Sequence, residues 1–165
     1  MKRAKPRREY CYDHPRPAVT VDVVLFTRLK RGARVLLIRR KLEPFKGRWA
    51  FPGGFVDDNE SLEAAASREL FEETGLTGIE LEQVGAFGDP GRDPRGHTVS
   101  VVFAAVVEGQ PEPAAADDAD DARWHSVSKH PPLAFDHKEI LRAARTRILG
   151  GPTRKGTDEH SSERR

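Results

Sequence analysis

The stretch Gly54 to Leu76, GFVDDNESLEAAASRELFEETGL, constrains this chain more than any other. Inside it Glu69, Glu72 and Glu73 stand at i, i+3 and i+4, so a helix here puts all three carboxylates on one face. Like charges that close destabilise a bare helix, and a divalent cation among them removes the repulsion. The helix is well signalled. Ser61 is placed as N-cap, and Glu63 complements the positive end of the dipole. Leu62, Ala65, Ala66 and Leu70 recur at helical spacing, and Gly75 suits a left-handed C-terminal cap. Pro52-Gly53-Gly54 just before it reads as a tight turn that exposes carbonyls beside the acidic face. The local expectation is strand, Gly-rich turn, loop, then a short metal-binding helix.

Taken alone, three acids on a helix are usually a solvated face. The spacing of the whole stretch argues otherwise. It reads Gly54, five residues, Glu60, seven residues, Arg68-Glu69, Leu70, any residue, Glu72-Glu73, any residue, Gly75 and Leu76. That pattern matches the Nudix box at all nine fixed places, and the chain resembles the Nudix hydrolases. The resemblance implies an α/β (α+β) fold, a mixed β-sheet sandwiched between helices, with the box as loop–helix–loop. It also implies hydrolysis of a nucleoside diphosphate linked to another group, with Mg²⁺ as cofactor and Mn²⁺ as an alternative. Cations neutralise phosphate charge, and a water must be aimed at phosphorus. By resemblance Glu69, Glu72, Glu73 and the Gly53 carbonyl are metal ligands, and Glu69 also deprotonates or orients the attacking water. Gly54, Glu60, Arg68 and Gly75 take structural roles, Glu60 and Arg68 as an ion pair holding loop to helix. A further acid from a downstream loop completes such sites. Asp118, six residues before Trp124, is the candidate, with Asp117, Asp120 and Asp121 beside it and Glu108 and Glu112 as weaker choices; the plain alternative is a solvated acidic loop.

Substrate class comes from outside the box. Pro90 stands fifteen residues beyond Gly75. That spacing, the loop Asp89 to His97 and the segment Leu133-Ala134-Phe135-Asp136-His137 resemble the ADP-ribose branch of the family. Arg92 and Arg95 are candidates for holding phosphate bidentately. Trp49 and Phe135, with Phe45 and Phe87, are candidates for stacking on adenine. The structural alternatives are a proline-shaped hairpin, solvated arginines and core aromatics. His97, His125, His130 and His137 lack metal-ligand spacing and read as structural or surface residues. The expected reaction is ADP-ribose to AMP and ribose 5-phosphate. Two other readings stay open: a sanitising hydrolase of oxidised nucleoside triphosphates of the 8-oxo-dGTP type, and a sensor that binds ADP-ribose without cleaving it. The 29 residues after Asp136 are too few for the winged helix such sensors carry. A plain interaction domain has only linkers and tails in its favour.

At 165 residues the chain is large enough for one domain with a real core. Its net charge of +2 is unevenly spread. Residues 1–10 carry +4 and residues 150–165 carry +1, which leaves the middle at about −3. No basic body suited to nucleic acid is present, and the basic start reads as a solvated tail. The resemblance implies a small nucleotide as substrate, and a homodimer is also compatible. One cysteine, Cys11, excludes an internal disulfide and fits a reducing compartment. No apolar run reaches membrane-spanning length, and the start has no apolar signal region, so the expected place is the cytoplasm. The expected layout is a basic, disordered tail over 1–17, the Nudix domain over 18–149 and a polar, disordered tail over 150–165. Within the domain, strands are expected at Val19–Phe26, Val35–Arg40, Leu81–Phe87, His97–Val107 and Ala122–Val127, with a second helix over His137–Leu149.

Overall fold

The structure is a computed structural model. It describes residues 12–114 and 119–150, the side chains of 119 and 120 excepted. The expected disorder of residues 1–11 and 151–165 lies outside the described residues.

The β-branched run Ala18–Arg28 forms the long strand β1, and the architecture is laid against it. A hairpin returns the chain as β2 (Ala33–Arg40). Then follow β3 (Trp49–Ala50), β4 (Gly53–Phe55), α1 (Leu62–Thr74), β5 (Glu82–Phe87), β6 (Thr98–Val107), β7 (Ala119–Ser126) and α2 (His137–Ala144). A single wide helical turn, Arg145–Gly150, extends α2. The sheet runs β3-β2-β1-β6-β5, with β4 also on β1 and β7 on β2. Among the named strands β1 and β6 pair in parallel, from Ala18↔Thr98 to Thr27↔Val107, and the other strand pairings are antiparallel. The sheet is therefore mixed, as expected.

Successive side chains of β1 point to opposite faces, and each face carries one helix. Val21, Val23 and Leu25 pack with Ala65, Ala66 and Leu70 of α1. Val24 and Phe26 pack with Ile140, Leu141 and Ala144 of α2. Leu70 is 2% exposed, and burying such a side chain contributes about 2 kcal/mol. Two helices on opposite faces of one sheet make the expected sandwich. Among the described residues no helix is long and apolar enough to cross a membrane.

Three local expectations are corrected. Gly53 and Gly54 are not a tight turn but part of strand β4, with Gly53 opposite Asp22 and Gly54 opposite Val21. They are glycines because neighbours leave no room for a side chain. A Cβ on Gly53 would overlap the Val21 carbonyl and sit 2.9 Å from Asp22 Oδ1; one on Gly54 would overlap the Glu69 carboxylate. The acidic run is not all loop, because β7 opens at Ala119 and takes in Asp120 and Asp121. The second helix is regular only to Ala144 before it widens.

Candidate active site

Helix α1 forms as its residues dictate. Ser61 Oγ accepts the Ala64 amide at 3.2 Å. Gly75 closes the helix at φ +71, its amide donating to the Phe71 carbonyl. The apolar stripe faces the sheet, which turns Glu69 and Glu73 toward β4.

The three box carboxylates are divided between two partners. Arg68 sits among them and donates to both oxygens of Glu60 at 2.7 and 2.8 Å, to Glu69 at 2.7 Å and to Glu72 at 3.2 Å. It also reaches the Phe55 carbonyl. The expected Glu60–Arg68 tie between loop and helix is present. The Arg68 guanidinium and the Asp57 amide hold the Glu60 carboxyl down to about 2. The positive charge expected among the acids is thus partly Arg68 itself. Glu73 turns away from Arg68 and accepts the Gly53 amide at 2.9 Å. Burial pushes its carboxyl up to about 8, with Glu69 and Asp22 adding to the rise and the Gly53 bond opposing it. Burial also raises Glu69, against the pull of Arg68. Glu72 stays out at 56% side-chain exposure, against 12% for Glu69.

These groups fit a hard divalent cation by chemistry. Glu69 and Glu73 are half-buried carboxyls, both raised by that burial, and they flank Gly54 and Gly53. Among the described residues no three acidic or His/Cys side chains converge on a ready-made metal site. Glu72 would have to leave Arg68 to join Glu69 and Glu73. The Asp118 side chain lies outside the described residues, as does that of Asp117.

Beside β4 a small cavity of about 40 Å³ opens between β1, the Pro90 loop and the start of α2. Arg92, Arg95 and Phe135 all line it, but both arginines are already engaged. Arg92 grips Asp136 with two bonds of 2.8 and 2.6 Å, and its side chain is 5% exposed. Burial would lower Arg92, but Asp136 outweighs it and raises it. Arg95 holds Asp93 at 2.6 Å and lies 4.8 Å over the Phe55 ring. Burial alone would raise Asp93; Arg95 outweighs that and keeps it below its usual range. Phe135 adopts φ +50 and lies 4.8 Å from the Phe45 ring. Trp49 is elsewhere: its ring packs edge-on against His125 at 4.3 Å, outside the cavity.

Sequence reasoning passed over Arg40 and Asp22 here, and read His137 only as a structural or surface residue. Arg40 lines the cavity, donates to the Pro44 carbonyl at 2.7 Å and lies 4.9 Å over the Phe135 ring. Among the described residues no carboxylate reaches it within ion-pair distance, although Glu73, Asp93 and Asp22 bear on it. Burial, then Arg95, lowers it. Asp22 is a buried acid within an apolar strand, which was the available signal for it. It accepts the Ser100 hydroxyl and faces His137. His137 is a buried link between elements, and nothing in its spacing announces that.

The chain matches the family model for the NUDIX domain over residues 16–144. The chain belongs to the Nudix family. With the box acids intact, it is a Nudix pyrophosphohydrolase, in a family that uses divalent metals. The chain is similar to an ADP-ribose pyrophosphatase of Methanocaldococcus jannaschii, at 44% identity over 126 residues, 76% of this chain and 72% of that one. It is also similar to an ADPR responsive transcriptional repressor, NtrR, of Acinetobacter baylyi, at 36% identity over 140 residues. That match takes in 82% of this chain but 56% of the repressor, little more than half its length. Among solved structures, the NUDIX domain of Shewanella oneidensis NrtR in complex with ADP ribose superposes with a TM-score of 0.75 at 34% identity. That match covers 88% of this chain and 94% of that one.

Proposed function

We propose that this Nudix protein is a Mg²⁺-dependent ADP-ribose pyrophosphohydrolase yielding AMP and ribose 5-phosphate. One observation carries the reading. Arg40, which no carboxylate reaches within ion-pair distance among the described residues, lines the cavity together with Gly53 and Gly54, the two residues against which Glu73 and Glu69 stand. That is a place for a pyrophosphate and a cation together. The likeness to an ADP-ribose pyrophosphatase and to an ADP-ribose-bound domain supports the choice of nucleotide.

Glu69, Glu73, the Gly53 carbonyl and a re-aimed Glu72 would hold the metal. When bound, Mg²⁺ neutralises phosphate charge and acidifies water. Arg40 takes the pyrophosphate oxygens, and Glu69 is placed to receive the proton of the attacking water. Water adds to one phosphorus, the bridging P–O bond breaks, and the proton ends on the leaving phosphate or on solvent. Arg92 and Arg95, through Asp136 and Asp93, shape the pocket.

A substrate panel at fixed Mg²⁺ tests this: ADP-ribose, NADH, diadenosine polyphosphates, nucleotide sugars and oxidised dGTP. The expected result is preference for ADP-ribose. Fast turnover of another nucleotide with none of ADP-ribose overturns it. The similarity to the repressors favours one other reading, a sensor that binds ADP-ribose without cleavage. Tight binding with no turnover of any member of the panel is its signature.

A further inference from the structure

The first two residues at the start of α2 reach in different directions. Asp136 occupies the N-cap position, where an Asp normally accepts a first-turn amide. It makes no such bond. Its carboxylate goes to Arg92 of the Pro90 loop instead. His137, the next residue, points into the core at 3% exposure. Its Nδ1 accepts the Phe51 amide at 3.1 Å. Its Nε2 therefore carries the proton and lies 3.5 Å from Asp22 Oδ1, whose other oxygen accepts the Ser100 hydroxyl. The ring is stacked on Phe51 at 4.9 Å and 11°, with Phe135 at 5.4 Å on a tilt.

The segment that His137 grips is the one that leads to the Gly53 carbonyl, which would face the metal. Phe51, Pro52 and Gly53 are fixed at three successive points. The Phe51 amide goes to His137, the Pro52 carbonyl takes the Val23 amide at 2.8 Å, and the Gly53 amide goes to Glu73 at 2.9 Å. Phe51 is 2% exposed, so its amide has no solvent to turn to if His137 is lost. Asp22 stands opposite Gly53 in the sheet register, and a Cβ on Gly53 would sit 2.9 Å from its Oδ1. An acid and a histidine buried in otherwise apolar layers are costly to keep, and here both act on the same three residues.

We propose that His137 is the positioning residue for the metal arm Phe51–Gly53, with Asp22 and Ser100 fixing the orientation of its ring. This rests on the metal-dependent hydrolase reading above. His137 acts through the backbone of the arm, its ring bonded to the Phe51 amide on one side and set against Asp22 on the other. It sets where the Gly53 carbonyl and, through the Gly53 amide, the Glu73 carboxylate stand, as outer partners of a metal site do. The arm ends at Gly53, whose amide holds Glu73, so the larger effect belongs in metal affinity and kcat.

The test compares His137→Phe and His137→Asn in the full chain. Phe keeps a ring between Phe51 and Phe135 but accepts nothing. Asn places an oxygen close to the position of Nδ1 and can take the Phe51 amide. Three quantities are read: Tm, Mn²⁺ affinity without nucleotide by electron paramagnetic resonance, and kcat and KM. H137F is expected to weaken Mn²⁺ binding about tenfold or more and lower kcat by at least as much. KM should change less than threefold, and H137N should recover most of both losses. Wild-type Mn²⁺ affinity and kcat in H137F overturn the proposal. So does an H137N protein that regains Tm but stays as impaired as H137F. If H137F does not fold, Asp22→Asn probes the link from its other end. It should show the same pattern at threefold or more, and wild-type values in a folded D22N count against the proposal. Mn²⁺ binding needs no ADP-ribose, so a different preferred substrate leaves this result readable.

Discussion

The Gly53 amide donates to Glu73 Oε2 at 2.9 Å, across 20 residues of chain. The bond gives the box helix and strand β4 one shared geometry at the reacting end of the site. It also separates Glu73 from Glu69 and Glu72, which Arg68 holds. Two neighbouring acids of one helix thus have different electrostatics, one restrained by a guanidinium and one by a single amide and burial.

Glu73→Gln keeps shape and removes the charge. Turnover at saturating Mg²⁺ should fall at least a hundredfold, with a fold unchanged by circular dichroism. Turnover at the wild-type level would remove Glu73 from the metal ligands.

The pH dependence of the metal-free protein follows from the same residue. The folded Glu73 carboxyl is raised to about 8, above its unfolded value. Between about 4.5 and about 8 the folded state therefore binds the extra proton, and stability falls as pH rises. The loss is on the order of a few kcal/mol at most. Tm in EDTA should decline across this window, and E73Q should flatten the slope. Added Mg²⁺ should restore most at the alkaline end, where the carboxylate is ionised. A Tm in EDTA that rises from pH 5 to pH 8 would contradict this.

The two glycines of β4 should separate stability from activity. On Gly53 an alanine Cβ meets the Val21 backbone carbonyl, which cannot move without opening the β1–β4 pairing. Gly53→Ala should cost about 3 kcal/mol or more by urea denaturation. On Gly54 the Cβ meets the end of the Glu69 side chain, which can swing away. Gly54→Ala should leave the urea midpoint nearly unchanged and lower kcat by roughly tenfold to a hundredfold, because Glu69 is displaced. Equal stability losses in both variants would refute the distinction.

Arg40 and Arg92 should also part company. Arg40→Ala removes a cation that holds no carboxylate among the described residues, so KM for the nucleotide should rise about tenfold or more with Tm nearly constant. Arg92→Ala strands Asp136 at the start of α2 and should cost roughly 3 kcal/mol. Steady-state kinetics and thermal melts on both variants decide it. A stable R92A protein with a raised KM would instead make Arg92 a direct phosphate contact.

The local grammar of α1 lies in the sequence itself: Ser61 as cap, the spacing of Ala65, Ala66 and Leu70, Gly75 at positive φ. So does the place of Glu69, Glu72 and Glu73 on one helix, because a helical repeat relates residues only three or four apart and needs nothing from the rest of the chain. The strands of β1, β2 and β6 were legible for the same reason, as β-branched runs. Tertiary structure decided which partner each charge found. Arg92 meets Asp136 across 44 residues, and His137 meets Phe51 across 86. These meetings depend on sheet register, which sets Asp22 opposite Gly53 and brings the start of α2 over both. No local spacing encodes that register. It follows from packing two helices on opposite faces of one twisted sheet. That packing turned Arg92 into a strut, left Arg40 without a carboxylate partner among the described residues, and made a histidine without metal-ligand spacing the link between α2 and the arm Phe51–Gly53.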